Sequence, residues 1–207
     1  MKPHPDGRGH ERLQRAPLRP PFVEPVARWG RRVSLAQTLL KLTAPGVPDV
    51  YQGNELWDLS LVDPDNRRPV DFASRRDMLG RLSGVSAEQA MAAEESGLPK
   101  LLVTVRALHL RRARPELFSA DSPYTPLAVA GHRPDRAVAF ARGMPPGAVT
   151  VVPRLGDPAS QRWQDLRVAI PPGRWRDALS GDELNGGDVA LSLVLRRLPV
   201  ALLESVA

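Results

Sequence analysis

The stretch Asp49-Val50-Tyr51-Gln52-Gly53-Asn54-Glu55, followed closely by Leu61-Val62-Asp63-Pro64-Asp65-Asn66-Arg67-Arg68-Pro69-Val70-Asp71, decides how this chain is read. Val47 to Gln52 is short and β-prone, and Gly53 is placed to end it, so the pattern predicts a strand feeding a long polar loop. Upstream, Leu35, Leu39 and Leu42 recur at helical spacing behind Ser34, a candidate cap, and Pro45-Gly46 closes the run. Helix, strand and long loop in that order form the unit of a β/α repeat. The loop is dense in carboxylate, amide and guanidinium groups, which supply the donors and acceptors that sugar hydroxyls need. Tyr51 and Trp57 offer flat faces to pyranose rings. A second reading stays open: Asp63, Asp65, Arg67 and Arg68 could pair among themselves and simply pin a surface loop.

Beyond the loop, Ser74 with Asp77 and Ser86 with Gln89 are spaced as capping boxes, and Gly97 is placed to close the second of these helices. From Pro99 a further helix is expected, with Leu101, Val105 and Leu108 on one face and Pro115 as its stop. Arg106, Arg111 and Arg112 are read as its solvated side, making it an amphipathic surface helix. After Phe118 Pro and Gly become frequent, and short β-type runs alternate with turns at 137–141, 149–152, 166–170, 189–195 and 200–203. Such runs predict an antiparallel β-sandwich or open barrel over 119–207. Trp163 and Trp175 lie in this part and are read first as core or inter-strand packing, with stacking on a glucan as the alternative.

Composition narrows the function classes. The net charge is +6, but residues 1–32 hold eight Lys or Arg against three Asp or Glu, so the body of the chain is nearly neutral. Residues 1–21 are rich in Pro and Gly, lack apolar periodicity and are read as a disordered basic leader. Without aromatic interleaving they make a poor case for nucleic acid as a partner. No apolar run approaches the ~20 residues of a membrane helix, so no membrane partner is expected and a cytoplasmic location is. With no cysteine there are no disulfides or thiolate sites, and His4, His10, His109 and His132 are scattered, so no metal is expected. No phosphate-binding glycine loop or nucleophile elbow occurs, and no cofactor is expected.

The run Ser34 to Leu56 together with Leu61 to Asp71 resembles the end of the barrel in maltooligosyltrehalose synthases, members of the α-amylase superfamily. The likeness continues through Arg111 to Phe118, Tyr124 to Leu127, Gly173 to Asp177 and Leu179 to Gly181. This resemblance implies an α/β plus β architecture. Residues 22–118 would be the C-terminal part of a catalytic (β/α)8 TIM barrel, with its last strand and flanking helices, and 119–207 a C-terminal β-domain. It also implies an isomerase, a glucosylmutase that turns the reducing-end α-1,4 bond of a maltooligosaccharide into an α,α-1,1 bond. In the superfamily a carboxylate nucleophile, a carboxyl acid/base and a further Asp carry that chemistry, and all three would lie upstream of the strand aligned here. A whole barrel needs about 250 residues, so the chain is expected to be a C-terminal portion with no catalytic residue, inactive alone. The implied substrate-binding residues are Tyr51, Gln52, Glu55, Asp63, Asp65, Asn66, Arg67 and Arg68. The implied partners are a maltooligosaccharide and the missing barrel portion; a noncatalytic glucan-binding or assembly module is the alternative.

Overall fold

The computed structural model describes residues 23–60, 63–154, 163 and 165–206. The leader expected at 1–21 lies outside these residues. Four helices come first: α1 (Val23–Thr43), α2 (Phe72–Arg81), α3 (Ala87–Ala92) and α4 (Leu98–Ala113). Leu35, Leu39 and Leu42 share the buried face of α1, as their spacing predicts. The helix begins well before Ser34, which therefore lies inside it rather than capping it. Ser86 and Gln89 form the expected capping box on α3, and Gly97, left-handed at φ 83, ends the short 3-10 turn 94–96. At α2 the cap is Asp71, whose side chain accepts from the Ser74 amide at 2.9 Å; Asp77 instead pairs with Arg81 one turn on.

Two expectations about α4 are corrected. Lys100, Leu101, Leu102, Val103, Thr104, Ala107 and Leu110 are all buried, so it is a central helix and not a surface one. Two of its three arginines also point inward. Arg106 donates to the carbonyls of Leu179 and Val85, and Arg111 donates to Leu42 O at 2.8 Å while lying 5.1 Å from the Phe118 ring centroid. Only Arg112 of the three is exposed. A guanidinium on a long apolar stem can satisfy main-chain carbonyls at helix ends, which periodicity cannot reveal.

The β part is β1 (Tyr124–Pro126), β2 (Val129–Ala130), β3 (Ala137–Arg142), β4 (Ala148–Pro153), β5 (Arg167–Asp177), β6 (Glu183–Ala190) and β7 (Ala201–Val206), with a short helix α5 (Leu191–Val194) between the last two. All seven strands belong to one antiparallel sheet in the order β1-β3-β4-β7-β5-β2, with β6 on β5. Of the two expected arrangements the β-sandwich is not formed; the strands make a single curled sheet, compatible with the open-barrel alternative. Both of its faces are covered, which explains why 148–152 of β4, Thr150 included, are all buried. Ala148 and Val152 face the helices with Leu202, whereas Val149 and Val151 face a second cluster with Ala201, Leu203, Trp175 and Leu191. The strand expected at 189–195 ends at Ala190, because Leu191, Val194 and Leu195 turn as a helix into that second cluster.

The strand expected at 47–52 is not formed. Residues 47–51 run as irregular chain, 52–55 make a turn, and Val47 is 97% exposed. A strand is held by ladder hydrogen bonds, and no neighbouring strand lies beside this segment among the described residues. Helix α1 itself packs its buried face on α4 and β4, so the helix and sheet layers share one apolar cluster.

Candidate functional site

The polar loop is built from two turns braced by one side chain. In the first turn the Asn54 amide donates to Tyr51 O at 3.1 Å, and buried Gly53 adopts φ 91. A Cβ at Gly53 would lie 3.3 Å from a Val70 methyl, so this left-handed, crowded position calls for glycine. In the second turn the Arg67 amide donates to Pro64 O at 3.0 Å, closing the 3-10 segment Asp65–Arg67. The brace is Arg75, from the first turn of α2. It donates to Glu55 Oε2 at 3.1 Å, to Gly53 O at 3.0 Å and to Asp71 O at 3.0 Å. One guanidinium fork therefore ties the first turn to the helix that follows the second. Nothing in the sequence pattern singles out Arg75, because its partners lie about twenty residues away.

The sequence-predicted residues separate into three groups. Tyr51, Gln52 and Asn66 present exposed side chains. Glu55 is engaged by Arg75 and is half-buried. Asp63 pairs with Arg67 and Asp65 with Arg68, the two arginines remaining largely exposed. The self-pairing of these four charges is thus realised. Exposed pairs of this kind hold only about 0–1 kcal/mol, so they can exchange a partner for a ligand hydroxyl at little cost.

Behind the brace lies an open cleft of about 700 Å³ between the first half of α1 and residues 56–59, with Trp57, Arg31, Asp58 and Arg75 on its walls. The indole of Trp57 is fixed by donating to Glu94 O at 2.6 Å, and Arg31 bridges Glu94 at 2.9 Å and Glu95 at 3.5 Å. Lys100 donates to Leu56 O at 3.0 Å, and burial pulls its ammonium below the usual lysine range. Asp58 accepts from the hydroxyl and amide of Ser60, which hold its carboxyl below the usual range. Trp57, Arg31 and Lys100 were not foreseen as a group, since α1, the loop and α4 bring them together only through the fold.

The described residues hold one carboxyl pushed upward, Asp177, and it serves structure: it lies at the end of β5 and accepts from the Leu179 and Leu202 amides and the Ser180 hydroxyl. No group of three or more His, Asp or Glu among the described residues is placed to hold a metal ion. No helix among them is long and apolar enough to cross a membrane. The arrangement around 51–75 offers hydrogen-bonding groups and aromatic faces to a polar ligand.

No protein-family model matches the chain. A Mycobacterium tuberculosis H37Rv protein described provisionally as a maltooligosyl trehalose synthase is 44% identical over 171 residues, which is 82% of this chain and 20% of the relative. The solved maltooligosyltrehalose synthase of Arthrobacter ramosus superposes with a TM-score of 0.77 at 42% identity, covering 89% of this chain and 23% of that one. The DSM5389 glycosyltrehalose synthase superposes with a TM-score of 0.68 at 29% identity, covering 89% and 22%. The chain spans about a fifth of the length of the curated relatives it matches. Identity and superposition each cover more than four fifths of the chain, and the chain belongs with the maltooligosyltrehalose synthases, matching their C-terminal part.

Proposed function

We propose that this chain supplies the C-terminal portion of a (1→4)-α-D-glucan 1-α-D-glucosylmutase, which isomerises the reducing-end α-1,4 bond of a maltooligosaccharide to α,α-1,1. The observation that carries this reading is the 44% identity, over 82% of the chain, to a relative described provisionally as a maltooligosyl trehalose synthase. The braced loop gives it a physical role. Tyr51, Gln52, Asn66 and the Asp63, Asp65, Arg67 and Arg68 pairs would bind sugar hydroxyls, with Glu55 held ready beside them by Arg75. In this reading the chain binds and orients glucan and contributes none of the carboxylates that form and cleave the glycosyl–enzyme bond. Purified chain incubated with maltohexaose is expected to leave both reducing ends and free glucose unchanged. Loss of reducing ends without hydrolysis would mean that a working catalytic site lies within these 207 residues, and the division of labour proposed here would fail.

A second reading, an assembly module that completes a separately supplied barrel portion, is favoured by Val47, Asp49 and Val50, which make no backbone hydrogen bond to another described residue. Reducing ends should then disappear only when both polypeptides are present.

A further inference from the structure

We infer that the open cleft beside Trp57 is a further glucan subsite, in which glucose units of an α-1,4-linked chain stack on the Trp57 indole and pair their hydroxyls with Asp58. The inference rests on the glucan-binding reading above and deepens it by giving the sugar a second place of contact outside the polar loop at 63–68. Arg75 joins the two places, since it braces the loop and also lines the cleft.

Three observations carry it. First, the size and charge of the cleft suit an uncharged ring. Its volume of about 700 Å³ falls within the range of roughly 300–1,000 Å³ found for small-molecule sites. The charged residues on its walls are Arg31 and Arg75 against Asp58 and Glu95, and these cancel, so no net field selects an anion or a cation. Second, the aromatic platform is rigid. The Trp57 indole donates to Glu94 O at 2.6 Å, Lys100 Nζ donates to Leu56 O at 3.0 Å, and a Cβ at Gly97 would lie 3.1 Å from Trp57 N. The junction before α4 thus grips residues 56 and 57, and a ring already fixed loses little entropy when a pyranose stacks on it. Third, an acceptor stands beside the platform. Asp58 takes both of its Ser60 bonds on Oδ1, which leaves Oδ2 to a sugar hydroxyl.

The class of ligand follows from what the two places offer. A pyranose has apolar ring faces and a rim of hydroxyls, and its recognition needs a flat apolar surface as well as hydrogen-bonding groups. Residues 63–68 supply charges and amides without an aromatic ring, whereas the cleft combines both kinds of contact in one space. Its facing wall is one side of α1, where Ala27, Gly30, Arg31 and Ser34 recur at helical spacing. Nothing lies within 4 Å of the place where a Cβ of Gly30 would be, so packing does not demand a glycine there, and any ordinary side chain would favour the helix more.

The test is a titration of the full chain, labelled with nitrogen-15, with maltohexaose, read from the chemical shifts of the backbone amides and of the Trp57 indole. Signals at 27–34 and 56–58 should move and saturate together with those at 63–68. Gly30→Leu fills the cleft from α1; it should keep or raise the melting temperature, abolish the shifts at 56–58 and weaken binding about tenfold. Asp58→Ala, at an exposed position on the other wall, should weaken binding without touching α1. Shifts confined to 63–68, or shifts at 56–58 that survive Gly30→Leu, would overturn the inference and leave the glucan-binding reading standing. Movement at neither place would sink both.

Discussion

At the level of single residues, Asp177 couples the fold to pH. Burial pushes its carboxyl up to about 6, with Asp182 acting in the same direction and the three donors to it acting against. Its folded-state value lies above the ordinary 3.8, so the protonated form favours the fold. That contribution is complete below the unfolded value and is lost as pH rises through about 6. The urea midpoint should therefore rise between pH 7 and pH 5. Asp177→Asn can keep the acceptor for Leu179 and Leu202 and turn its amide toward Ser180, so it should flatten that slope. Over that window the difference should be on the order of 1 kcal/mol; parallel pH profiles for parent and variant would refute it. Arg75 acts locally. Arg75→Leu should speed amide exchange at 53–55 by tenfold or more with little change in global stability, because the turn loses its carbonyl and carboxylate ties while both apolar clusters stay intact.

Among elements, β5 is the organiser, pairing with β2, β6 and β7. Its register with β6 shifts between Ile170 and Arg174, across Pro171-Pro172-Gly173, where prolines cannot serve the ladder. The bulge turns Pro171 O toward the Trp175 indole, which donates to it at 2.8 Å. It also leaves no room at Gly186, where a Cβ would lie 1.9 Å from the same oxygen. Gly186→Ala should consequently cost about 2–4 kcal/mol in chemical denaturation and redshift Trp175 emission; a change under 0.5 kcal/mol would show that the strands can part freely. This bulge also explains what the sequence hid. The apolar cores of β3, β4 and β7 were legible from their short apolar runs, β-branched in β4. By contrast, the second half of β5 carries Pro-Pro-Gly and β6 carries Asn185-Gly186-Gly187-Asp188, so both read as turns. The short β1 and β2 have too few residues to show alternation. In the loop, residue types suited to sugar were legible, and the pairing of Asp63, Asp65, Arg67 and Arg68 was one of two open readings. The Arg75 brace and the Trp57 cleft depend on contacts across 20 residues or more and were not.

For the molecule as a whole, one cluster joins Leu35, Leu39, Leu42, Leu101 and Leu102 of the helices to Ala148, Val152 and Leu202 of the sheet. Helix and sheet signals should therefore disappear together in a single urea transition, checked by overlaying far-ultraviolet circular dichroism with tryptophan fluorescence. Residues 119–207 expressed alone should bind a hydrophobic dye, since the helix-facing side of β4 and β7 would be bare. Two separated transitions would mean that the boundary expected near residue 119 is also a boundary of cooperativity.

The seam between those layers is fastened by arginines that meet main-chain oxygens instead of acids. Arg106 reaches Leu179 and Val85, Arg111 reaches Leu42, and Arg142, 1% exposed, reaches Thr43, Ser119 and Ser122. Part of the formal charge of +6 is thus spent as joinery inside the protein. Ionic strength that dissolves the outer ion pairs has little purchase on such joints, so molar salt should loosen the loop at 63–68 long before it parts helix from sheet.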